Sequence, residues 1–106
     1  MLERMLGRVG ARTLMFLRIN GDGYASEIAR TLAVSLSAVQ GQLRRFEQAG
    51  VIASRARGRT RIFALEPRSP LRDQIAALLD RAVELLPDDR RLGLSVRRRP
   101  RRAGKP

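Results

Sequence analysis

The sequence predicts a mainly α fold with one small β-hairpin and a C-terminal helix. Three observations predict it. Apolar residues recur at helical spacing in four segments: before residue 20, over 26–33, over 36–49 and over 70–86. Ser26 and Ser35 each stand where one of the two middle segments would need an N-terminal cap. Between 51 and 65, two short runs of strand character flank Arg57-Gly58-Arg59, and Gly58 supplies the positive φ of a tight hairpin.

The chain opens with apolar residues at Leu2, Met5, Leu6, Val9, Leu14, Met15, Phe16, Leu17 and Ile19. Gly7 and Gly10 interrupt them, each costing about 1 kcal/mol against alanine in a helix. The expectation is a separately turned N-terminus and then a largely buried helix over about 8–19. Asn20-Gly21-Asp22-Gly23 is a stop. Tyr24 and Ala25 fit a very short extended segment.

Ser26 is the expected N-cap of the next helix, and Glu27 complements its dipole. Ile28, Ala29, Leu32 and Ala33 form its inward stripe. After a turn at Val34, Ser35 caps a second helix that runs to about Ala49, with Gly50 as its C′ residue. Val39, Leu43 and Phe46 fall on one face of it. At roughly 100° per residue, Ser37, Gly41, Arg44 and Gln48 fall on the other, flanked by Ala38, Gln40 and Arg45. Gln42 lies nearer the buried side.

Val51–Ala56 and Thr60–Leu65 are the expected strands. Phe63 and Leu65 are larger than Ile62 and Ala64, so they are expected to face inward. Ser69-Pro70 then restarts a helix with serine as N-cap and proline at the first position. Leu71, Ile75, Leu78, Ala82 and Leu85 are spaced 4, 3, 4, 3, a seam of about two heptads. Leu79, Val83 and Leu86 widen it beyond what one neighbour covers. From Pro87 onward, two further prolines and a run of arginine predict a basic, disordered tail over 87–106. The domain itself is expected over 1–86.

Composition narrows the chemistry. Of the 106 residues, 43% are apolar but only 4% aromatic, so Leu, Ile, Val and Ala must fill one modest core. There are 22 basic residues against 10 acidic, a net charge of +12, and every basic residue but Lys105 is arginine. Such an excess predicts polyanionic partners through counterion release at phosphates. Half of it lies in residues 87–106, where 8 basic and 2 acidic residues give +6. With neither cysteine nor histidine, no thiolate or imidazole site for a metal exists, nor the commonest general base. The ten carboxylates are scattered, and no phosphate-cradling glycine loop occurs, so neither an enzyme nor a cofactor is expected. No stretch is long and apolar enough for a membrane span. The opening MLERMLGRVG lacks the apolar core of a signal peptide, which predicts a cytoplasmic, nucleoid-associated protein.

The run SEIARTLAVSLSAVQGQLRRFEQAGVIASRARGRTRIFAL, residues 26–65, resembles the winged helix-turn-helix core of ArsR-type bacterial repressors. Those carry an E-L-A-x-x-L run, a capped second helix, a terminal G-[LV]-[IV] and an R-x-G-R wing. The likeness covers about 40 of the 106 residues. It implies a winged helix-turn-helix fold and a transcriptional regulator whose second helix enters the major groove of double-stranded DNA. The family's groove-facing positions match Ser35, Ser37, Ala38, Gln40 and Gly41, and its wing tip matches Arg57, Gly58 and Arg59. Arg44 and Arg45 are expected to reach guanine or backbone, and Arg55 and Arg61 to complete an arginine wing on the minor groove and phosphates. The family's metal sensing has no cysteine or histidine to support it here.

Several positions have a plainer reading. Gly41 either lets the helix backbone approach the duplex or is merely tolerated. Charged hairpins also discourage edge pairing, although lysine or glutamate would serve that purpose equally. The last helix, through Leu71, Ile75, Leu78, Leu79, Ala82 and Leu85, is expected to form a homodimer, against the alternative that it lids its own core. The opening LGRVGARTLMFLRING also resembles small nucleotidyltransferase-associated winged-helix proteins. The competing function is therefore an accessory protein-interaction module of such a system. The basic tail would also suit RNA.

Overall fold

Each helix begins or ends where the chain has a specific reason to do so. The structure, a computed structural model, describes residues 1–96. Its elements are α1 (Leu2–Leu6), α2 (Arg8–Asn20), β1 (Gly23–Tyr24), α3 (Ala25–Leu32), α4 (Leu36–Gln48), β2 (Ile52–Arg57), β3 (Thr60–Leu65), α5 (Arg72–Glu84) and α6 (Asp88–Gly93). The three strands form an antiparallel sheet in the order β1-β3-β2. This mainly helical domain with a hairpin wing is a winged helix-turn-helix.

The break at Gly7 separates α1 from α2. The second is the central strut, with Ala11, Thr13, Leu14, Met15, Phe16 and Leu17 buried. Gly10 is more than an interruption. A Cβ there would lie 2.8 Å from Gln42 Oε1 and 3.2 Å from Phe46 Cζ, so its absence lets α2 and α4 cross closely.

The cap of α3 is Tyr24 rather than Ser26. Glu27 accepts a hydrogen bond from the Tyr24 backbone N–H at 3.4 Å, which draws the helix start back and leaves Ser26 exposed on its first turn. The helix ends in a Schellman arrangement. The Val34 N–H donates to Ala29 O and the Ala33 N–H to Arg30 O, with Ala33 at φ 58°. Alanine is an unusual occupant of that left-handed position. Ser35 then caps α4, its Oγ accepting from the Ala38 N–H at 3.2 Å. At the far end, the Val51 N–H reaches Phe46 O and the Gly50 N–H reaches Glu47 O, again the Schellman pattern, with Gly50 at φ 80°.

In the hairpin, Arg57 pairs with Thr60, so the loop proper is Gly58-Arg59. Gly58 alone has positive φ, 62°, as the first loop residue of a II′ turn requires. Of the expected inward pair, Leu65 joins the core and Phe63 packs against it, and the correction is that Ile62, expected to face outward, is buried as well. Ile62 is 3% exposed and Leu65 7%, while Phe63 is half-buried against the core. Ile62 and Leu65 lie on opposite faces of β3, and in the register with β1 Ile62 stands beside Tyr24 while Phe63 stands beside Gly23, which has no side chain to cover the ring.

The last long helix starts at Arg72, two residues after Pro70. Ser69 caps a preceding turn instead, its Oγ accepting from the Leu71 N–H at 3.2 Å. The expectation of a disordered tail from Pro87 is also corrected over its first ten residues. Asp88–Gly93 is helical, and Leu94, 5% exposed, joins the core cluster. Its apolar side chain, with Val96 packed beside it, supplies the burial that a charge-based reading of the segment overlooked. Residues 97–106, which carry the remainder of that expectation, lie outside the described residues.

Candidate nucleic-acid interface

A 13-residue helix with its core stripe buried must present the opposite stripe to solvent. In α4, Val39, Leu43 and Phe46 face inward at 0, 1 and 5% exposure. Ser35, Ser37, Gln40 and Arg44 are exposed, while Ala38 and Gly41 are half-exposed beside them. Ser35 is spent on its cap, and its Oγ also lies 3.4 Å from Ser37 Oγ. Gln40 and Arg44, one turn apart, are left pointing along one line into the space before the wing.

That space is an open groove between α4, the first turn of α3 and β3. Ser26, Leu36, Gln40, Arg44, Arg59 and Arg61 all line it. The second helix and the wing thus converge on one concave surface with three arginines. Its one acidic lining residue, Glu47, accepts a hydrogen bond from Ser54 Oγ at 2.6 Å, and Ser54 Oγ in turn accepts from Arg61 Nε at 3.0 Å. This relay ties the wing to α4 and occupies the carboxylate.

The strand register divides the wing arginines. Arg55 pairs with Ile62 and Arg57 with Thr60, so these two arginines share one face of the hairpin. Arg61 pairs with Ala56 and lies with Phe63 on the other face, toward α4. Arg59 stands in the loop with Gly58. All four arginines are exposed. The expected cluster is therefore two sets, one lining the groove and one on the outer side of the hairpin.

Arg45 is the residue that the fold removes from the group. Its Nη2 donates to Leu6 O at 3.4 Å, and its guanidinium lies 5.3 Å from the Phe46 ring centroid. It ties the end of α1 to α4, pointing away from the groove. Sequence reasoning missed Leu36, 44% exposed, and Thr60, both of which line the groove. Leu36 lies four residues before Gln40, a helical spacing that would have placed it on the same face.

The C-terminal helix divides in the same way. Ala76 and Leu79 are buried against the chain's own core, which removes Leu79 from the expected dimer face. Leu71, Leu78 and Leu85, seven residues apart, are 59, 42 and 69% exposed, with Ile75 and Ala82 half-buried between them. Leu78, Ala82 and Leu85 also line an apolar groove shared with Met1 and Leu2 of the N-terminal segment. Across α2 and α5, Arg18 grips Asp80 with two hydrogen bonds, of 2.7 and 3.0 Å. The hydrogen bonding from Arg18 holds the Asp80 carboxyl below the usual carboxylate range and raises Arg18 above its ordinary value.

Among the described residues, no group of three or more carboxylates could hold a metal ion, and no helix is long and apolar enough to cross a membrane.

No protein-family model matches the chain, and no curated protein sequence matches it. Solved structures do. The chain is similar to the adhesin competence repressor AdcR of Streptococcus pyogenes, with 19% identity and a TM-score of 0.63 over 76% of this chain and 60% of that one. It is similar to YusO of Bacillus subtilis, with 24% identity and a TM-score of 0.59 over 86% of this chain and 73% of that one. It is also similar to ZitR of Lactococcus lactis, with 18% identity and a TM-score of 0.59 over 84% and 75%. The chain thus spans less than two thirds of the length of AdcR. At these identities the likeness is one of fold.

Proposed function

We propose that this chain is a sequence-specific, double-stranded DNA-binding transcriptional regulator that works as a homodimer, most simply as a repressor. One observation carries the reading: Gln40 and Arg44 of α4 and Arg59 and Arg61 of the wing line a single groove. A helix of this width fits the major groove, where Gln40 reads adenine edges and Arg44 reads guanine or holds a phosphate. Ser37, Ala38 and Leu36 supply smaller contacts, the apolar ones suited to a thymine methyl. Arg55 and Arg57, on the outer face of the hairpin, reach the minor groove or its phosphates.

The regulator role is also supported by the likeness of fold to AdcR, which is named a repressor. The ArsR-type resemblance of residues 26–65 supports the same role without the metal-sensing part. Dimerisation rests on Leu71, Leu78 and Leu85, three exposed leucines at heptad spacing, the last two lining a groove with the exposed Met1. A two-fold dimer would set the two α4 helices against half-sites about 34 Å apart. The reading is of a binder in the cytoplasm, with no catalytic step.

The test is DNA binding across salt and sequence. Arg57→Ala with Arg59→Ala should weaken binding to every duplex and lower the slope of log K against log salt by about one unit for each phosphate left without its arginine. Gln40→Ala should change which sequence is preferred. Equal affinity for random and selected duplexes at physiological salt would overturn the sequence-specific reading. Recovery of an enzyme from a pull-down in the absence of DNA would favour an accessory module instead.

A further inference from the structure

Glu47 stands where two physical costs meet. It follows Gln40 and Arg44 along one stripe of α4, so it faces the groove proposed to hold a polyanion. It also lies in the last turn of α4, where the helix dipole disfavours a negative charge. Among the described residues, no ion pair joins it to Arg44 or Arg61. What it holds is the Ser54 hydroxyl, which donates to Glu47 Oε2 at 2.6 Å, the short distance of a charge-assisted bond. A hydroxyl has one proton. With that proton committed to Glu47, Ser54 Oγ can only accept, and it accepts from Arg61 Nε at 3.0 Å.

The relay sits at the root of the wing. The register with β1 reaches β3 only at Ile62 and Phe63, so from Arg61 outward the hairpin is a two-stranded ribbon, marginal in stability by itself. Ser54 pairs with Phe63, and Arg61 is its diagonal neighbour on the same face. Glu47 therefore fastens the ribbon to α4 at the point where the third strand ends. The terminal amino groups of Arg61 have no hydrogen-bond partner among the described residues.

We propose that Glu47 and Ser54 are positioning residues for DNA binding. The carboxylate orients the hydroxyl, and the hydroxyl holds Arg61 by Nε, leaving its terminal amino groups for a phosphate beside the base pairs read by α4. The inference rests on the proposed DNA-binding function and deepens it. A freely rotating arginine must be ordered when DNA binds, which weakens affinity roughly two- to tenfold for each side chain immobilised. One already held by its Nε has lost part of that freedom beforehand. The opposing effect is repulsion between the Glu47 carboxylate and phosphate. That carboxylate is exposed, so at physiological salt its field is screened over about 8 Å. The order that Glu47 imposes outweighs the repulsion it exerts, and an acid on this face favours binding to a polyanion.

The test uses the full chain and a duplex that it selects from a random pool, at physiological salt. Glu47→Ala should bind roughly two- to tenfold more weakly although it removes a negative charge, and Ser54→Ala should do the same. Glu47→Gln removes the same charge but keeps an acceptor, and Ser54→Thr keeps the hydroxyl, so each should restore tight binding. In an Arg61→Ala background, Glu47→Ala should cost nothing further, because its effect runs through Arg61. Tighter binding by Glu47→Ala, or equal binding by Glu47→Ala and Glu47→Gln, overturns the positioning role. A full loss on adding Glu47→Ala to Arg61→Ala overturns it too. If Ser54→Ala does not fold, Glu47→Ala, at an exposed helix position, decides the proposal. Without DNA, the Arg61 Nε–H should exchange slowly with water in the parent and fast in Glu47→Ala, read by NMR; equal rates overturn the relay. Failure of the parent chain to bind any duplex would instead overturn the proposed function, with the Nε–H exchange still deciding whether the relay forms.

Discussion

Replacing Gly41 with alanine separates folding from DNA binding, because the two should move in opposite directions. Gly41 lies inside α4, and a Cβ built there meets no heavy atom within 4 Å. The folded state therefore accepts the methyl without a clash, and the helix gains the propensity difference of about 1 kcal/mol. For a domain of this size that raises Tm by roughly 4–8 °C. The same methyl projects on the face that carries Ser37 and Arg44, four residues before and three after it. If the backbone of α4 lies against the duplex there, the helix must back away, and the reach of both neighbours to the DNA lengthens together. A weakening equal to one good hydrogen bond, about 1.4 kcal/mol, lowers affinity tenfold. Circular dichroism melts give the first quantity and fluorescence anisotropy on a selected duplex gives the second. A variant that is more stable and binds as tightly as the parent would refute the close approach of α4. A less stable variant would refute the view of Gly41 as an unstrained helix position.

Three further substitutions test the fold that holds this face in place. Gly23→Ala would put a Cβ 2.5 Å from Phe16 Cε1 and 3.3 Å from Glu27 Oε1, so it should destabilise by about 1–3 kcal/mol in urea unfolding. An unchanged midpoint would mean that Phe16 is less fixed than its full burial implies. Ala33→Gly should stabilise by about 0.5–1 kcal/mol, since alanine at φ 58° carries strain that exceeds the entropy glycine adds to the unfolded chain; a fall in Tm would contradict that strain. Asp80→Asn removes a carboxylate whose folded pKa is lowered by hydrogen bonding from Arg18. That contribution is present at neutral pH and is lost as pH falls below the unfolded value of about 3.9. The variant should therefore show a flatter decline of stability in acid, with only a small loss at neutral pH because the pair is partly exposed. An acid limb identical to the parent's would show that the pair does not form.

Where local chemistry and tertiary packing agree, the elements are legible in the sequence. Ser35 caps α4, Gly50 ends it, Gly58 turns the hairpin, and Val39, Leu43 and Phe46 face the core, each for a reason visible within a few residues. What was illegible depended on partners distant in sequence. Ser26 yielded the cap to Tyr24 because Glu27 reached back to a backbone that β1 holds in place. Ile62 is more deeply buried than Phe63, and the register of β1, which sets Tyr24 beside Ile62 and only Gly23 beside Phe63, is a long-range pairing that alternation within β3 does not give. Leu79 faces the core, although the heptad spacing of α5 does not say which flank of the stripe meets α2. Arg45 turned to the carbonyl of Leu6, which is 39 residues away. In the candidate site, the two-sided distribution of Arg55, Arg57 and Arg61 follows from strand register, which composition cannot give. The Asn20 side chain donates to Leu94 O and accepts from the Val96 N–H, more than 70 positions away, whereas in the sequence it reads as a turn former.

The central claim is that the α4–wing face reads a DNA sequence. The most direct measurement selects duplexes from a random pool with the full chain, then compares affinity for the winner and its scrambled counterpart at physiological salt. A ratio of about a thousandfold or more, falling sharply when Gln40 and Arg44 are replaced by alanine, is the predicted result. A ratio near one, or a high ratio indifferent to those two residues, would contradict it.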